Sequence, residues 1–262
     1  MLRTRLWTAG VALPAVIGII VFAPDAWFSA FIGALTAWAL YEFGAMFQVR
    51  DPVLLLLLIA AGGVSALGLL SGVSIGWEGP AIVIAAAVAN VWIVGRGGPD
   101  RAAHNRVFNV LAGSLWVGML FPYFALLRNA PGGVPMVILM LLLVVASDSG
   151  AYFSGRSIGR TRLIPRVSPN KTVEGAIGGL VACVIAGLVL RVWLTPALSA
   201  GSAAFLAACV GVLAQLGDLA GSAFKRIAGV KDSGWIFPGH GGLLDRTCSL
   251  VFAAVFTYYY VR

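Results

Sequence analysis

Charge is what this sequence lacks. Only 11% of its 262 residues are Asp, Glu, Lys or Arg, while 60% are hydrophobic and the mean hydropathy is +0.95. Soluble domains carry about a quarter charged residues, so a soluble globular fold is excluded. Lysine occurs three times, histidine twice and cysteine three times. Cys183, Cys209 and Cys248 show no zinc or redox spacing and read as small apolar residues, which excludes a disulfide framework. Polar stretches long enough for a soluble domain between the apolar runs are also missing, so any chemistry must use loops and helix ends. The runs themselves, as at 53–70 and 134–146, do not alternate. That excludes a membrane β-barrel.

What the chain does have is a succession of apolar segments near the length of about 20 residues that a spanning helix needs. They fall at 6–23, 26–47, 53–71, 80–95, 107–127, 134–154, 173–194, 201–220 and 247–261. The expected fold is all-α: a polytopic transmembrane helical bundle of about nine spans. Pro24 and Asp25 leave the first two spans almost no loop, and Pro14 is expected to kink the first. The opening "MLRTRLWTAGVALPAVIGIIVFAP" imitates a signal peptide, but a retained first span is the expectation.

Basic residues set the orientation. With the amino terminus inside, fifteen Lys and Arg fall on one side and three (Arg128, Arg191 and Arg262) on the other. Basic loops stay in the cytoplasm. The net charge of +8 would fit nucleic acid only with a soluble basic face or a binding motif. Here the basic residues flank the membrane, where each gains about 1 kcal/mol from anionic headgroups. Membrane lipids are expected partners and nucleic acid is not.

The halves differ. Residues 1–130 hold few ionisable groups and read as a scaffold. Glu42, late in the second span, is expected to be structural, snorkelling to the cytoplasmic interface or pairing with an Arg. Residues 131–262 concentrate the chemistry, with cytoplasmic loops at 155–172 and 221–246. Asp148 and Asp218 lie at matching depth near the cytoplasmic ends of apolar segments, where an acid costs about 2.5–3.5 kcal/mol on insertion scales. Two such acids point to one polar cavity open to the cytoplasm. Gly175 and Gly179, like Gly217 and Gly221, are four apart and allow close helix packing around it.

The first loop, "GRSIGRTRLIPRVSPNKTVEG", offers Ser168 as an N-cap ahead of Pro169, with Lys171 and Thr172 in the first turn and Glu174 close by. A helix start of that kind attracts phosphate. The second strip, "KRIAGVKDSGWIFPGHGGLLDR", gathers Lys225, Arg226 and Lys231, the carboxylates Asp232 and Asp245, and His240 among glycines. Cations, hard oxygen ligands and pliant backbone together suit a polyphosphate with its divalent metal. A merely solvated strip would not centre on Trp235, Ile236 and Phe237 or run directly into a membrane helix.

The segment "SAFKRIAGVKDSGWIFPGHGGLLDRTC" (222–248), with "DSGAYFSGRSIGR" and "SPNKTVEG", resembles the phosphatidate cytidylyltransferases, or CDP-diacylglycerol synthases. The resemblance implies transfer of a cytidylyl group from CTP to phosphatidic acid, with Mg²⁺ alone or joined by a second cation. It implies metal ligation by Asp218 and Asp245, with Asp148 shaping the cavity. Lys171, Lys225, Arg226 and Lys231 would hold phosphates, while Asp232 and Glu174 would orient basic groups or reach the metal through water. His240 would touch phosphate or shape its turn, and Arg246 would bind the lipid phosphate or pair with Asp245. A homodimer in a bacterial inner membrane, with the active site facing the cytoplasm, completes the expectation. The family pattern ends Asp-Arg-x-Asp, and Cys248 stands in the last acidic position here. A thiol is a poor ligand for a hard cation, so a weakened or inactive enzyme is one alternative. An ion or lipid transporter is another, against which stands the absence of a visible repeat.

Overall fold

The structure is a computed structural model and describes residues 14–47, 52–70, 105, 108, 109, 111–236 and 241–262. The span expected at 80–95, the first residues of the span at 6–23 and His240 lie outside the described residues. Where the sequence places apolar segments, the described chain is helical. Residues 14–22 form a helix, followed by α1 (Asp25–Met46) and α2 (Pro52–Leu70). A π-helical stretch (Ser114–Met119) and α3 (Tyr123–Asn129) lead to α4 (Gly133–Ile158). After α4 come β1 (Arg162–Ile164), β2 (Ser168–Thr172), α5 (Val173–Leu194), α6 (Ala200–Ile227) and α7 (Leu244–Val261). Among the described residues, four helical stretches are long and apolar enough to cross a membrane: Leu111–Asn129, Gly133–Ile158, Val173–Leu194 and Ala200–Ile227.

The described chain forms two compact units. One comprises the described residues of 23–126 with 232–244; the other comprises 14–22, 127–231 and 245–262. In the first, Leu40 and Phe43 of α1 are buried with Leu58 of α2, and Trp116 meets Phe43 edge to face. Asp25 opens α1, where a negative charge complements the helix dipole.

In the second unit α4 packs on α5 through small residues. A Cβ on Gly179 would stand 2.7 Å from the Ser147 carbonyl oxygen, and one on Gly175 would stand 2.9 Å from that of Ala151. Backbones this close explain the glycine spacing noted in the sequence. Leu143, Leu206, Ala207 and Val210 fill the interior, while Ile177, Val181, Ile185 and Trp193 stand exposed along α5. An apolar outer face suits contact with lipid. Ser199 caps α6, its Oγ accepting from the Ser202 N–H at 3.1 Å. Arg128, buried, donates from Nε to the Ile20 carbonyl at 3.0 Å and ties the 14–22 helix to this unit.

The described chain is mostly helical, as an all-α bundle requires, and one expectation needs correction: 162–172 form an antiparallel β-hairpin pairing Arg162 with Thr172 and Ile164 with Ser168. Ser168 is therefore not a helix cap. It lies in β2, and the N-cap of α5 is Thr172, whose Oγ1 accepts from the Gly175 N–H at 3.1 Å. Proline tolerates an edge strand as readily as a helix start, and β-branched Thr172 suits the extended conformation a cap also requires.

Candidate active site

Three elements of the second unit supply a cavity of about 520 Å³: the end of α4, the β2–α5 junction and the middle of α6. Asp148, Tyr152 and Arg156 follow one another at four-residue spacing on α4, so all three lie on the same face. Arg156 Nη1 donates to the Tyr152 hydroxyl at 2.9 Å. From β2 come Asn170 and Lys171, and α6 contributes Gln215 and Asp218. Gln215 donates from Nε2 to the Ala176 carbonyl at 3.0 Å, bracing α6 against α5. The volume lies within the range of about 300–1,000 Å³ typical of small-molecule sites.

The charges inside are paired loosely. Lys171 Nζ meets Asp218 Oδ2 at 2.6 Å, with side chains 28% and 48% exposed. A pair that open contributes about 0–1 kcal/mol, so either partner turns to a ligand at little cost. Asp148 lies within electrostatic reach of Asp218, Lys171 and Arg246. One acid on α4, one on α6 and a lysine on the strand between thus face a common space.

A second pair is tighter. Lys225 Nζ lies 2.5 Å from Asp245 Oδ1, with side chains 20% and 4% exposed. Asp245 is not among the residues lining the cavity, but α7 is held close to α6. A Cβ on Gly217 would stand 2.2 Å from the Cys248 carbonyl oxygen. Cys248 is buried, within electrostatic reach of Lys225, Asp218 and Asp245.

The remaining expected site residues have other places. Glu174 accepts from the backbone N–H groups of Arg160 and Thr161 at 3.1 Å each, pinning the base of the hairpin. Arg226 donates from Nε to the Val167 carbonyl at 3.2 Å, holding the hairpin turn. Lys231 and Asp232 are exposed after α6, and Arg246 is exposed in the first turn of α7. Sequence reasoning counted Arg156 among the basic residues of its loop but named neither it nor Tyr152, Asn170 or Gln215 as a site residue. The 148-152-156 spacing carried a signal for the first two. Nothing local marked the others.

Comparison with known proteins bears on this geometry. Residues 3–262 match the cytidylyltransferase family. The chain belongs to that family. It is 43% identical over 134 residues to the uncharacterized protein YnbB of Escherichia coli (strain K12), covering 51% of this chain and 45% of the relative. It is 40% identical over 147 residues to a phosphatidate cytidylyltransferase of Bacillus subtilis (strain 168), covering 56% and 55%. A phosphatidate cytidylyltransferase of Brucella suis is 40% identical over 167 residues, covering 64% and 58%. The chain thus spans about half the length of the curated relatives it matches.

Proposed function

We propose that the chain transfers the cytidylyl group of CTP to phosphatidic acid, forming CDP-diacylglycerol and releasing pyrophosphate. The observation that carries this is the cavity that gathers Asp148, Asp218, Lys171 and Arg156 at the ends of apolar helices. Relatives named phosphatidate cytidylyltransferase support it. A phosphate oxygen of the lipid attacks the α-phosphorus of CTP, the bond from that phosphorus to the bridging oxygen breaks, and pyrophosphate leaves. Lys171 and Arg156 neutralise phosphate oxygens and hold the nucleotide in line, so positioning and charge stabilisation do most of the work. Arg246, exposed at the start of α7, would receive the lipid phosphate.

Among the described residues no group of three or more His, Cys, Asp or Glu side chains could hold a metal ion. The donor chemistry nevertheless fits Mg²⁺, which takes one or two carboxylates and completes its shell with substrate phosphates. Asp218, which lines the cavity, would hold it together with Asp245 on the adjoining α7: both are hard oxygen donors, and each would exchange its lysine partner for the metal. When bound, Mg²⁺ supplies positive charge to the phosphate oxygens. The same proposal places about nine spans in a bacterial inner membrane, with 155–172 and 221–246 in the cytoplasm. The test is purified protein in detergent with labelled CTP, phosphatidate and Mg²⁺. Label should appear in a lipid with one pyrophosphate per turnover; none in the lipid while a soluble acceptor is labelled would reject phosphatidate.

A further inference from the structure

Glu42 stands outside that chemistry and is nonetheless the focus of a hydrogen-bond cluster. It lies in the last turns of α1 and is 3% exposed. Oε1 accepts from the Leu243 N–H at 2.8 Å and from Trp38 Nε1 at 3.2 Å. Oε2 accepts from the Leu244 N–H at 3.0 Å and from the Ser233 hydroxyl at 3.2 Å. A carboxylate offers about four lone-pair sites, so four donors leave none for a metal or a transferred proton. The expectation that Glu42 snorkels or seeks an arginine gives way to this. Its partners are two backbone amides, an indole and a hydroxyl.

The loop is shaped to reach it. A Cβ on Gly234 would stand 2.6 Å from Oε1, and one on Gly242 would stand 2.5 Å from Oε2. Two glycines of the charged strip are therefore required by a protein carboxylate, where the sequence pointed to a bound phosphate. Leu244 is the first residue of α7, and the first N–H groups of a helix have no partner within it. Local capping normally comes from a side chain just before the helix. Here Gly242 and Leu243 offer no such group, and Glu42 caps the helix from about 200 residues away, its negative charge complementing the dipole.

We infer that Glu42 is a positioning residue: a remote cap that fixes where α7 begins and hence the register in which Asp245 and Arg246, the next two residues, are presented. The inference rests on the role proposed above for Asp245. Its test is Glu42→Gln in the full chain, in detergent, beside Leu58→Val as a control that loosens the same buried unit without touching the carboxylate. Glutamine accepts at one oxygen only, so at least one of the two amides loses its partner. Hydrogen exchange at Leu243 and Leu244 should accelerate at least ~10-fold in Glu42→Gln and not in Leu58→Val. The rate of cytidylyl transfer should fall ~10-fold while the Mg²⁺ concentration for half-maximal rate rises. Unchanged exchange overturns the inference, and so does a loss of rate that matches Leu58→Val with the Mg²⁺ dependence unmoved. If the parent chain makes no CDP-diacylglycerol, the proposed function fails separately, and exchange alone upholds or overturns the cap.

Discussion

Glu42 and Asp218 are both acids set late in apolar helices, one in each compact unit, and they meet opposite fates. Glu42 is 3% exposed and saturated by four neutral donors, whereas the Asp218 side chain is 48% exposed, faces a cavity and touches a single ammonium. What separates a satisfied acid from an open one is the partner set, not depth in the helix. Neutral amide and hydroxyl donors hold a carboxylate in place and have nowhere else to go. A partly exposed lysine can turn to a phosphate and leave its acid open to a cation.

Substitutions sharpen this contrast, and the largest effect falls on the open acid. Asp218→Asn should lower cytidylyl transfer by about 10³-fold with elution on size exclusion unchanged, because charge is lost where the proposed function places a metal-bound nucleotide. A variant retaining a tenth of the rate would put Asp218 on the structural side with Glu42. Lys171→Met comes next, at about 10²-fold, read chiefly as a raised KM for CTP. If the lysine only neutralised Asp218, KM would stay put.

Smaller effects concern the packing between α6 and α7. Gly217→Ala forces a methyl onto the Cys248 carbonyl, so thermal unfolding should show a loss of about 1–3 kcal/mol. Activity should fall with it as α7 shifts; a variant as stable as the parent would show that the contact is slack. The smallest change is a gain. Cys248→Asp places a third carboxylate within electrostatic reach of Asp218 and Asp245, replacing a soft thiol by a hard oxygen donor, and should lower the Mg²⁺ needed for half-maximal rate a few-fold. An unchanged Mg²⁺ titration would show that this position lies outside metal binding.

The sequence located helices well because a spanning helix announces itself within one window of about 20 residues. The segments expected at 134–154, 173–194 and 201–220 became Gly133–Ile158, Val173–Leu194 and Ala200–Ile227. The ends at 158 and 227 ran on beyond the apolar stretch, since helical hydrogen bonding does not stop where hydropathy does. Ser168 misled because Ser-Pro fits a cap, while the pairing of Arg162 with Thr172 depends on a partner strand. Asp148 and Asp218 were legible as a pair and line one cavity, and the four-residue spacing could have added Tyr152 and Arg156.

By itself, then, the chain's scarcity of charge determined a membrane-embedded helical protein, and its spaced motifs determined the family, since both are written in neighbouring residues. Tertiary structure alone decided which acids are open and which are satisfied. Glu42 finds three of its four donors 191–202 positions away, at Ser233, Leu243 and Leu244, a separation that no local pattern records. A hydrogen bond acts over about 3 Å of space whatever the distance along the chain.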